Sequence, residues 1–211
     1  MLVRHLLSHT AGLPEFDPPL ATADLYDWDK ATDRLARQAP RWEPGMLAGY
    51  HSITQGFLVG EVVRRVTGDP SPATAQAIRI SDGNSVAWRR AEIPSGSGYG
   101  NARSVAKVQS VLACGGEGNG IRLLSQAGCE RARQEQYRGV DQLLGRSVRY
   151  GMGYGLFDPA CGWGGWGGSL VMVDLDAHMS VAYVMNQMLQ PPGAGDYRGL
   201  GIVLAAYDGL G

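Results

Sequence analysis

The 211-residue sequence contains few cysteines, few lysines and no excess of charge of either sign. Its three cysteines form no Cys-x-x-Cys pair, which argues against a disulfide scaffold or zinc ribbon and favours a reducing, cytoplasmic compartment. Lys and Arg together number 19 against 20 for Asp and Glu, and no basic stripe is present. Nucleic acid is therefore not expected as a partner.

A membrane span and a secretory signal are also missing from the sequence. The longest weakly charged run, 177–195, contains Asn186, two glutamines and a proline pair, so no membrane partner is expected. The opening residues MLVRHLLSHTAGLP have no basic region, long apolar run or small-residue cleavage site. They read as the middle of a structured segment.

The composition is that of a globular chain, with 44% apolar and 18% charged residues. A chain of this length suits one domain, predicted to cover 1–211, with a mainly helical part at 1–145 and antiparallel strands with a closing helix at 146–211. The 31 glycines cluster in the second half and predict frequent turns there.

Periodicity and capping signals predict the secondary structure. Thr22 is expected to cap the second helix, Ser52 and Gln55 form a capping-box pattern, and Gly68 ends the third helix. The segment 69–100 reads as a linker or long loop. Helices are predicted at 3–9, 22–38, 52–67, 101–114, 125–136 and 198–207, and strands at 152–157, 169–174 and 179–185, the last two as an antiparallel hairpin.

His5 and His9 have the four-residue spacing with which two imidazoles on a helix share a metal ion. The zincin pattern also needs a glutamate beside the first histidine, where this chain has Leu6. No third ligand is evident, so we expect these histidines to bond backbone groups or neighbouring loops.

Two further segments could carry acyl-transfer chemistry, although the sequence has no Gly-x-Ser-x-Gly elbow. Tyr50 lies just ahead of a predicted helix, where the positive end of the helix dipole would make its phenol a better proton acceptor. The glycine-rich run 162–169 leads into a strand and would let a substrate approach main-chain N–H groups. A packed aromatic residue and a tight-turning strand are the alternative interpretations.

Four segments of the sequence share the order and character of a known family. They are VRHLLSHTAGLP at 3–14, YHSITQGFLVGEVVRRVTG at 50–68, AEIPSGSGYGNARSVAKV from 91, and WGGWGGS at 163–169 followed by AYVMN through 186. Together they resemble the serine β-lactamase-like hydrolases, in particular the esterase branch related to class C β-lactamases. The resemblance implies an α/β fold like that of β-lactamases and penicillin-binding proteins, with an antiparallel sheet flanked by helices plus a helical subdomain.

The resemblance also implies roles for individual residues. The tyrosine of the second motif acts as general base in the family, which corresponds to Tyr50. The third motif corresponds to Trp163, Gly164 and Gly165, on the strand that lines the acyl pocket. Where β-lactamases have asparagine in the second motif, this chain has Ser52 as an expected substrate-binding residue. This departure argues against β-lactam turnover and favours ester substrates. No cofactor is implied.

The nucleophile is the main departure from the family pattern. The family places a Ser-x-x-Lys helix some tens of residues before the first motif, and this chain is expected to be incomplete at its amino terminus and internally shortened after Gly68. The sequence has one Ser-x-x-Lys, at Ser104 and Lys107, but it follows the Tyr50 motif and resembles a non-catalytic helix of the family. We expect that helix to pack Val105, Val108 and Leu112 inward, with Ser104 not acting as nucleophile.

The sequence thus predicts a serine hydrolase that works through an acyl-enzyme on esters or amides. The alternative is a catalytically silent remnant that keeps the pocket as a binding module. Tyr50 and Trp163 to Gly165 are expected to line the same cleft. An exposed sheet edge and apolar surface are expected to favour self-association.

Overall fold

The computed structural model describes residues 1–68, 85–90, 93–96, 98–165, 167–188 and 196–210. Much of the predicted linker at 69–100 lies outside these residues. Two compact units divide the chain, Met1–Tyr99 with Gln136–Val148, and Gly100–Glu135 with Arg149–Gly211. Within the described ranges, no helix has the length and apolar character needed to cross a membrane.

Helices make up the first part of the described chain, and most of the strands follow one another in the second part. The helices are α1 Val3–Leu7, α2 Trp28–Arg37, α3 Thr54–Thr67, α4 Val86–Arg90, α5 Ala102–Ala113, α6 Gln126–Ala132 and α7 Arg198–Asp208, with a 3-10 helix at Thr22–Tyr26. The strands are β1 Glu117–Gly118, β2 Ile121–Arg122, β3 Tyr137–Val140, β4 Ser147–Tyr150, β5 Gly155–Phe157, β6 Ala160–Gly164, β7 Leu170–Asp174 and β8 Met179–Tyr183.

The first unit is built on α3, against which α1 and α2 pack. Trp28, Ala31 and Leu35 lie at helical spacing on the buried face of α2, and the ring centroid of Trp28 is 5.3 Å from that of Phe57 on α3. Trp88 of α4 and Ile93 belong to the same buried cluster. This core supports the loop between α2 and α3, which carries Tyr50.

The predicted helix at 22–38 is wrong at its start. Asp27, not Thr22, caps α2, because its side chain accepts a hydrogen bond from the main-chain N–H of Lys30 at 2.9 Å. The 3-10 helix at Thr22–Tyr26 precedes this cap. The predicted end of the third helix is confirmed, because Gly68 is the left-handed C-cap of α3 with φ +75°.

The second unit combines an antiparallel sheet with the helices that cover it. The end of β4 and strands β5, β6, β7 and β8 are neighbours in sequence order, and α5 and α7 pack against β7 and β8. Leu112, Cys129, Cys161 and Val173 are buried between these layers. The hairpin of β7 and β8 is confirmed.

Some predicted elements differ from the observed ones. The helix predicted at 125–136 is α6, which ends at Ala132, four residues earlier than expected. The strand predicted at 152–157 is β5, which begins only at Gly155. On α5, Leu112 is buried as expected, whereas Val108 is 69% exposed, so the predicted inward face is wrong at that position. The spacing of apolar residues predicts a helix with one apolar face. It does not predict which part of that face the neighbouring sheet covers, and Val108 lies on an uncovered part. The four strands before β5 and helix α4 were not predicted.

Candidate active site

Tyr50 lies in a short loop between an isolated bridge at Ala48 and the start of α3. The loop makes close main-chain contacts with the segment HLLSHTAGLP. The main-chain N–H of Gly49 donates to the carbonyl oxygen of His9 at 3.1 Å, and that of His51 donates to His9 Nδ1 at 3.2 Å. The His9 ring meets the Tyr50 ring edge-on, with centroids 5.0 Å apart. Tyr50 itself is half-buried.

The second histidine of the site, His51, is fully buried and uses both ring nitrogens. Its Nε2 accepts from the main-chain N–H of Leu13 at 3.1 Å, and its Nδ1 lies 2.5 Å from the carbonyl oxygen of Gly49. This pattern requires a proton on Nδ1 and none on Nε2, which is one neutral tautomer. His51 therefore joins the Tyr50 loop to the turn that follows α1.

Both histidines are held neutral. Burial lowers the pKa of His9 to about 3, assisted by the positive charge that His51 would carry. Burial likewise lowers the pKa of His51 to about 4, against the opposing effects of its bond to Gly49 and of the Asp141 carboxylate. The pair consequently acts as fixed hydrogen-bonding groups at neutral pH and not as proton carriers.

His5 and His9 serve the backbone, as expected from the sequence. His5 Nδ1 accepts from the main-chain N–H of Leu2 at 3.4 Å, and His9 Nδ1 accepts from His51. Among the residues that the structure describes, no cluster of three or more His, Cys, Asp or Glu side chains could hold a metal ion.

The start of α3 is fixed by side chains that reach back to the first motif. Thr54 Oγ1 donates to the carbonyl oxygen of Leu13 at 2.7 Å, and Gln55 Nε2 donates to that of Leu6 at 3.1 Å. The predicted capping box is wrong, because α3 begins after Ile53, which makes no side-chain cap, and Gln55 is bonded to the end of α1 instead. These two hydrogen bonds attach the end of the Tyr50 loop to α1 and to the segment that follows it.

Asp141 holds the same loop from another segment, and no pattern in the sequence singles this residue out. Its Oδ1 accepts from the main-chain N–H of Tyr50 at 3.1 Å. In addition, the main-chain N–H of Gln142 donates to the carbonyl oxygen of Ala48 at 2.8 Å. An isolated aspartate in a turn carries no sequence signal for a contact 91 residues away.

Ser52, the predicted substrate-binding residue of the second motif, follows directly in a turn. Its main-chain N–H donates to the carbonyl oxygen of Tyr50 at 3.0 Å, and the residue is exposed. The structure therefore leaves the Ser52 side chain accessible beside the Tyr50 loop. Its part in binding stays a prediction.

Trp163, Gly164 and Gly165 lie in the second unit, at the end of β6. The ring of half-buried Trp163 packs against that of buried Tyr150, with centroids 5.9 Å apart. Gly164 and Gly165 are exposed. Because Tyr50 belongs to the first unit, the expectation that these residues line one cleft stays a prediction.

The main-chain N–H groups of this strand end are not equivalent. Gly165 donates to the carbonyl oxygen of Ser169 at 2.7 Å, so its N–H is used within the β6 and β7 pair. Since successive N–H groups of a strand face opposite sides, that of Gly164 faces the side of β5. There β5 begins only at Gly155, which pairs with Gly162. Gly164 thus extends past the start of β5.

The single Ser-x-x-Lys pattern belongs to a helix cap. Asn101 Oδ1 accepts from the main-chain N–H of Ser104 at 2.9 Å and lies 3.1 Å from its hydroxyl. Ser104 and Lys107 are both exposed. The Ser104 hydroxyl is therefore engaged at the start of α5.

Comparisons with known proteins agree with these motifs. The family model described as Beta-lactamase matches residues 1–79 and 69–205. A curated relative, "Esterase/beta-lactamase LipL" of Mycobacterium tuberculosis, is 27% identical over 269 residues. That match includes 94% of this chain and 62% of the relative, so the chain spans less than two thirds of the relative's length. The alignment exceeds the 211 residues of this chain, so the relative has residues without counterparts here.

Solved structures show the same fold. A family VIII carboxylesterase superposes with a TM-score of 0.90 at 32% identity, over 99% of this chain and 71% of that chain. A penicillin-binding protein homologue from Caulobacter crescentus gives a TM-score of 0.86 at 30% identity, over the same shares. The predicted fold, like that of β-lactamases and penicillin-binding proteins, is confirmed. The chain belongs to the Beta-lactamase family, among the serine β-lactamase-like hydrolases.

Proposed function

We propose that this chain forms the tyrosine-bearing part of a serine hydrolase that cleaves small carboxylic esters, or amides, through an acyl-enzyme. The observation that carries the proposal is the rigid setting of Tyr50. Its loop is bonded to His9 on one side and to Asp141 on the other, while the residue stays half-buried. A general base has to be held in place and yet remain accessible to a substrate.

In this proposal Tyr50 accepts the proton of a nucleophilic serine as that serine attacks the carbonyl carbon. The phenol then returns the proton to the leaving alkoxide, and water attacks the acyl-enzyme in a second half-reaction of the same kind. Trp163 and the glycines after it line the acyl pocket. The main-chain N–H of Gly164, which faces away from β7, stabilises the oxyanion.

Ser52 supports esters over β-lactams as substrates, because it replaces the amide side chain of the β-lactamase motif by a short hydroxyl. The names of the relatives, an esterase/β-lactamase and a carboxylesterase, point to the same class of reaction. A reducing, cytoplasmic setting belongs to the proposal as well. Its support is that all three cysteines, Cys114, Cys129 and Cys161, are free thiols.

The proposal requires a nucleophile other than Ser104. The hydroxyl of Ser104 is occupied at a helix cap, and no second Ser-x-x-Lys occurs in the 211 residues. We therefore place the nucleophile on a Ser-x-x-Lys segment outside this sequence.

The experiment measures hydrolysis of short-chain p-nitrophenyl esters by the chain alone and with a Ser-x-x-Lys segment of the family, fused or added as a second chain. Alone, we expect it to be no faster than its Tyr50→Phe variant. With the segment, we expect saturable hydrolysis that Tyr50→Phe abolishes. A supplemented rate that is independent of Tyr50 would refute the proposed role of Tyr50. Saturable activity of the chain alone that needs Tyr50 would refute the external nucleophile.

The alternative is a silent binding module, and the occupied Ser104 hydroxyl favours it. A binding module and a hydrolase differ in their expected products. A binding module supplied with the Ser-x-x-Lys segment binds a carboxylate product, such as butyrate, but never forms a covalent acyl adduct. Mass spectrometry after exposure to the ester distinguishes the two, because acylation adds the mass of the acyl group.

A further inference from the structure

Asp141 places one buried carboxylate oxygen among three main-chain donors. Its Oδ1 accepts from the N–H groups of Leu143 and Leu144, each at 2.9 Å, and from that of Tyr50 at 3.1 Å. The first two bonds close the local turn that contains Asp141. The third bond joins this turn to a residue 91 positions earlier, and Asp141 is completely buried.

The bond to Tyr50 is part of a two-sided clamp on the loop. On one side, the N–H groups of Gly49 and His51 donate to His9. On the other side, the N–H of Tyr50 donates to Asp141, and the carbonyl oxygen of Ala48 accepts from Gln142. Because the backbone is held on both sides of Tyr50, the direction of its Cα–Cβ bond is fixed, and with it the range of positions open to the phenol.

A carboxylate is the strongest acceptor available for such a clamp, since hydrogen bonds to an ionised group are shorter and stronger than those between neutral groups. Removing it would leave the N–H of Tyr50 buried or half-buried without that acceptor, and the loop would shift to restore a bond. A displacement of about 1 Å at a general base lowers a rate by about a hundredfold. The role of Asp141 would therefore be visible in catalysis.

We propose that Asp141 is a positioning residue for the general base Tyr50. The proposal rests on the proposed function, in which Tyr50 accepts the proton of the nucleophile. Asp141 does not touch substrate. It acts through the main chain of Tyr50, so that its loss lowers the turnover number while leaving substrate binding nearly unchanged.

Asp174 offers a matched control. It is also buried, and its Oδ1 accepts from the main-chain N–H groups of Asp176 and Ala177, each at 2.9 Å. It therefore closes a turn as Asp141 does, but in the second unit and with no bond to the Tyr50 loop among these partners. Its Oδ2 also accepts from the Tyr207 hydroxyl at 2.7 Å, so Asp174→Asn reports the effect of altering a buried aspartate that closes a turn and binds one side chain of the second unit.

The first measurement needs no activity. Amide hydrogen exchange of Tyr50 in the 211-residue chain is compared between the parent, Asp141→Asn, Asp141→Ala and Asp174→Asn. We expect at least tenfold faster exchange at Tyr50 in Asp141→Ala, because its acceptor is lost. The Asn variant keeps an oxygen at that place, so we expect it and Asp174→Asn to stay within about threefold of the parent. Unchanged protection in Asp141→Ala overturns the proposal.

The second measurement uses p-nitrophenyl butyrate and the protein supplied with its Ser-x-x-Lys segment. We expect Asp141→Ala to lower kcat at least tenfold with KM within twofold, and Asp141→Asn to recover most of kcat. A purely structural role would lower the amount of folded enzyme, and active-site titration corrects for that amount. If kcat per active site is unchanged in Asp141→Ala, Asp141 is not a positioning residue.

If Asp141→Ala fails to fold, Asp141→Glu takes its place. The longer side chain keeps the charge but moves the acceptor by one bond, so we expect it to have lower kcat than Asp141→Asn; the reverse order would refute positioning. Failure of the proposed function has a different signature, since Tyr50→Phe would then retain the rate, while exchange at the Tyr50 amide would still depend on Asp141.

Discussion

The main-chain N–H of His51 donates to Nδ1 of His9, 42 residues earlier, at 3.2 Å. Both side chains are buried, and each makes its bonds only as the neutral imidazole. Protonation of His9 at Nδ1 would place two donors face to face. The first and second sequence motifs are therefore joined by a bond that depends on pH.

We predict that the free energy of unfolding falls as the pH is lowered from about 6.5 to about 4. Histidines in an unfolded chain have a pKa of about 6.5, whereas the folded values are about 3 for His9 and about 4 for His51. In this window the unfolded state binds protons that the folded state does not, so acid favours unfolding. The expected slope is about 1.4 kcal/mol per pH unit for each histidine. Urea titrations at several pH values measure it.

His9→Asn is the matched variant for this prediction. Asparagine keeps an acceptor near the position of Nδ1, and it tolerates the left-handed backbone of this residue, φ +57°. We expect the slope to be about half that of the parent. Equal slopes in the two proteins would show that His9 does not contribute.

Ser104 should not react with a fluorophosphonate. Its hydroxyl lies 3.1 Å from Asn101 Oδ1, and Lys107, the residue that would activate it, is exposed. We expect no adduct on Ser104 by peptide mass spectrometry, with and without the Ser-x-x-Lys segment. Ser104→Ala should leave the supplemented ester hydrolysis unchanged. An adduct on Ser104 that Tyr50→Phe prevents would make it the nucleophile.

Gly12, in the first motif, is predicted to be intolerant of a side chain. A Cβ atom there would lie 2.7 Å from the carbonyl oxygen of Trp42 and 2.8 Å from Pro40 Cβ, in a backbone with φ +78°. Gly68 has nearly the same φ, +75°, and nothing within 4 Å. We expect Gly68→Ala to cost about 1 kcal/mol and Gly12→Ala at least about 2 kcal/mol, because only the latter adds a clash. Equal losses in urea denaturation would contradict this reading of the motif.

We predict that two copies of the chain associate through the β8 edge and the α7 surface of the second unit. Strand β8 is at the end of the sheet order, and Leu200, Ile202 and Leu204 of the adjacent α7 are exposed. We expect sedimentation to depend on protein concentration, and Leu204→Lys to shift the equilibrium toward monomer. Val66→Lys, at an 81% exposed site of the first unit, should have no effect. A monomer at all concentrations would exclude the proposal.

Short-range signals were sufficient for much of the secondary structure and for the family. Asn101 and Ser125 are the first residues of two predicted helices, and in the structure each caps the helix that follows it. Such features depend on side chains reaching three residues along the chain, which is why a single sequence contains them. The Tyr50 motif and the glycine run were likewise found from local pattern and resemblance.

The surroundings of Tyr50 depend on contacts between segments that are far apart in the sequence. The bonds of Tyr50 to Asp141, of His51 to His9 and to Leu13, and of Gln55 to Leu6 each cross between 38 and 91 residues. Nothing in the local sequence specifies these partners, because a hydrogen bond of that kind exists only once the core has brought the segments together. Local patterns in the sequence identify the residue types proposed to carry the chemistry, whereas packing of the core establishes which buried groups hold them in place.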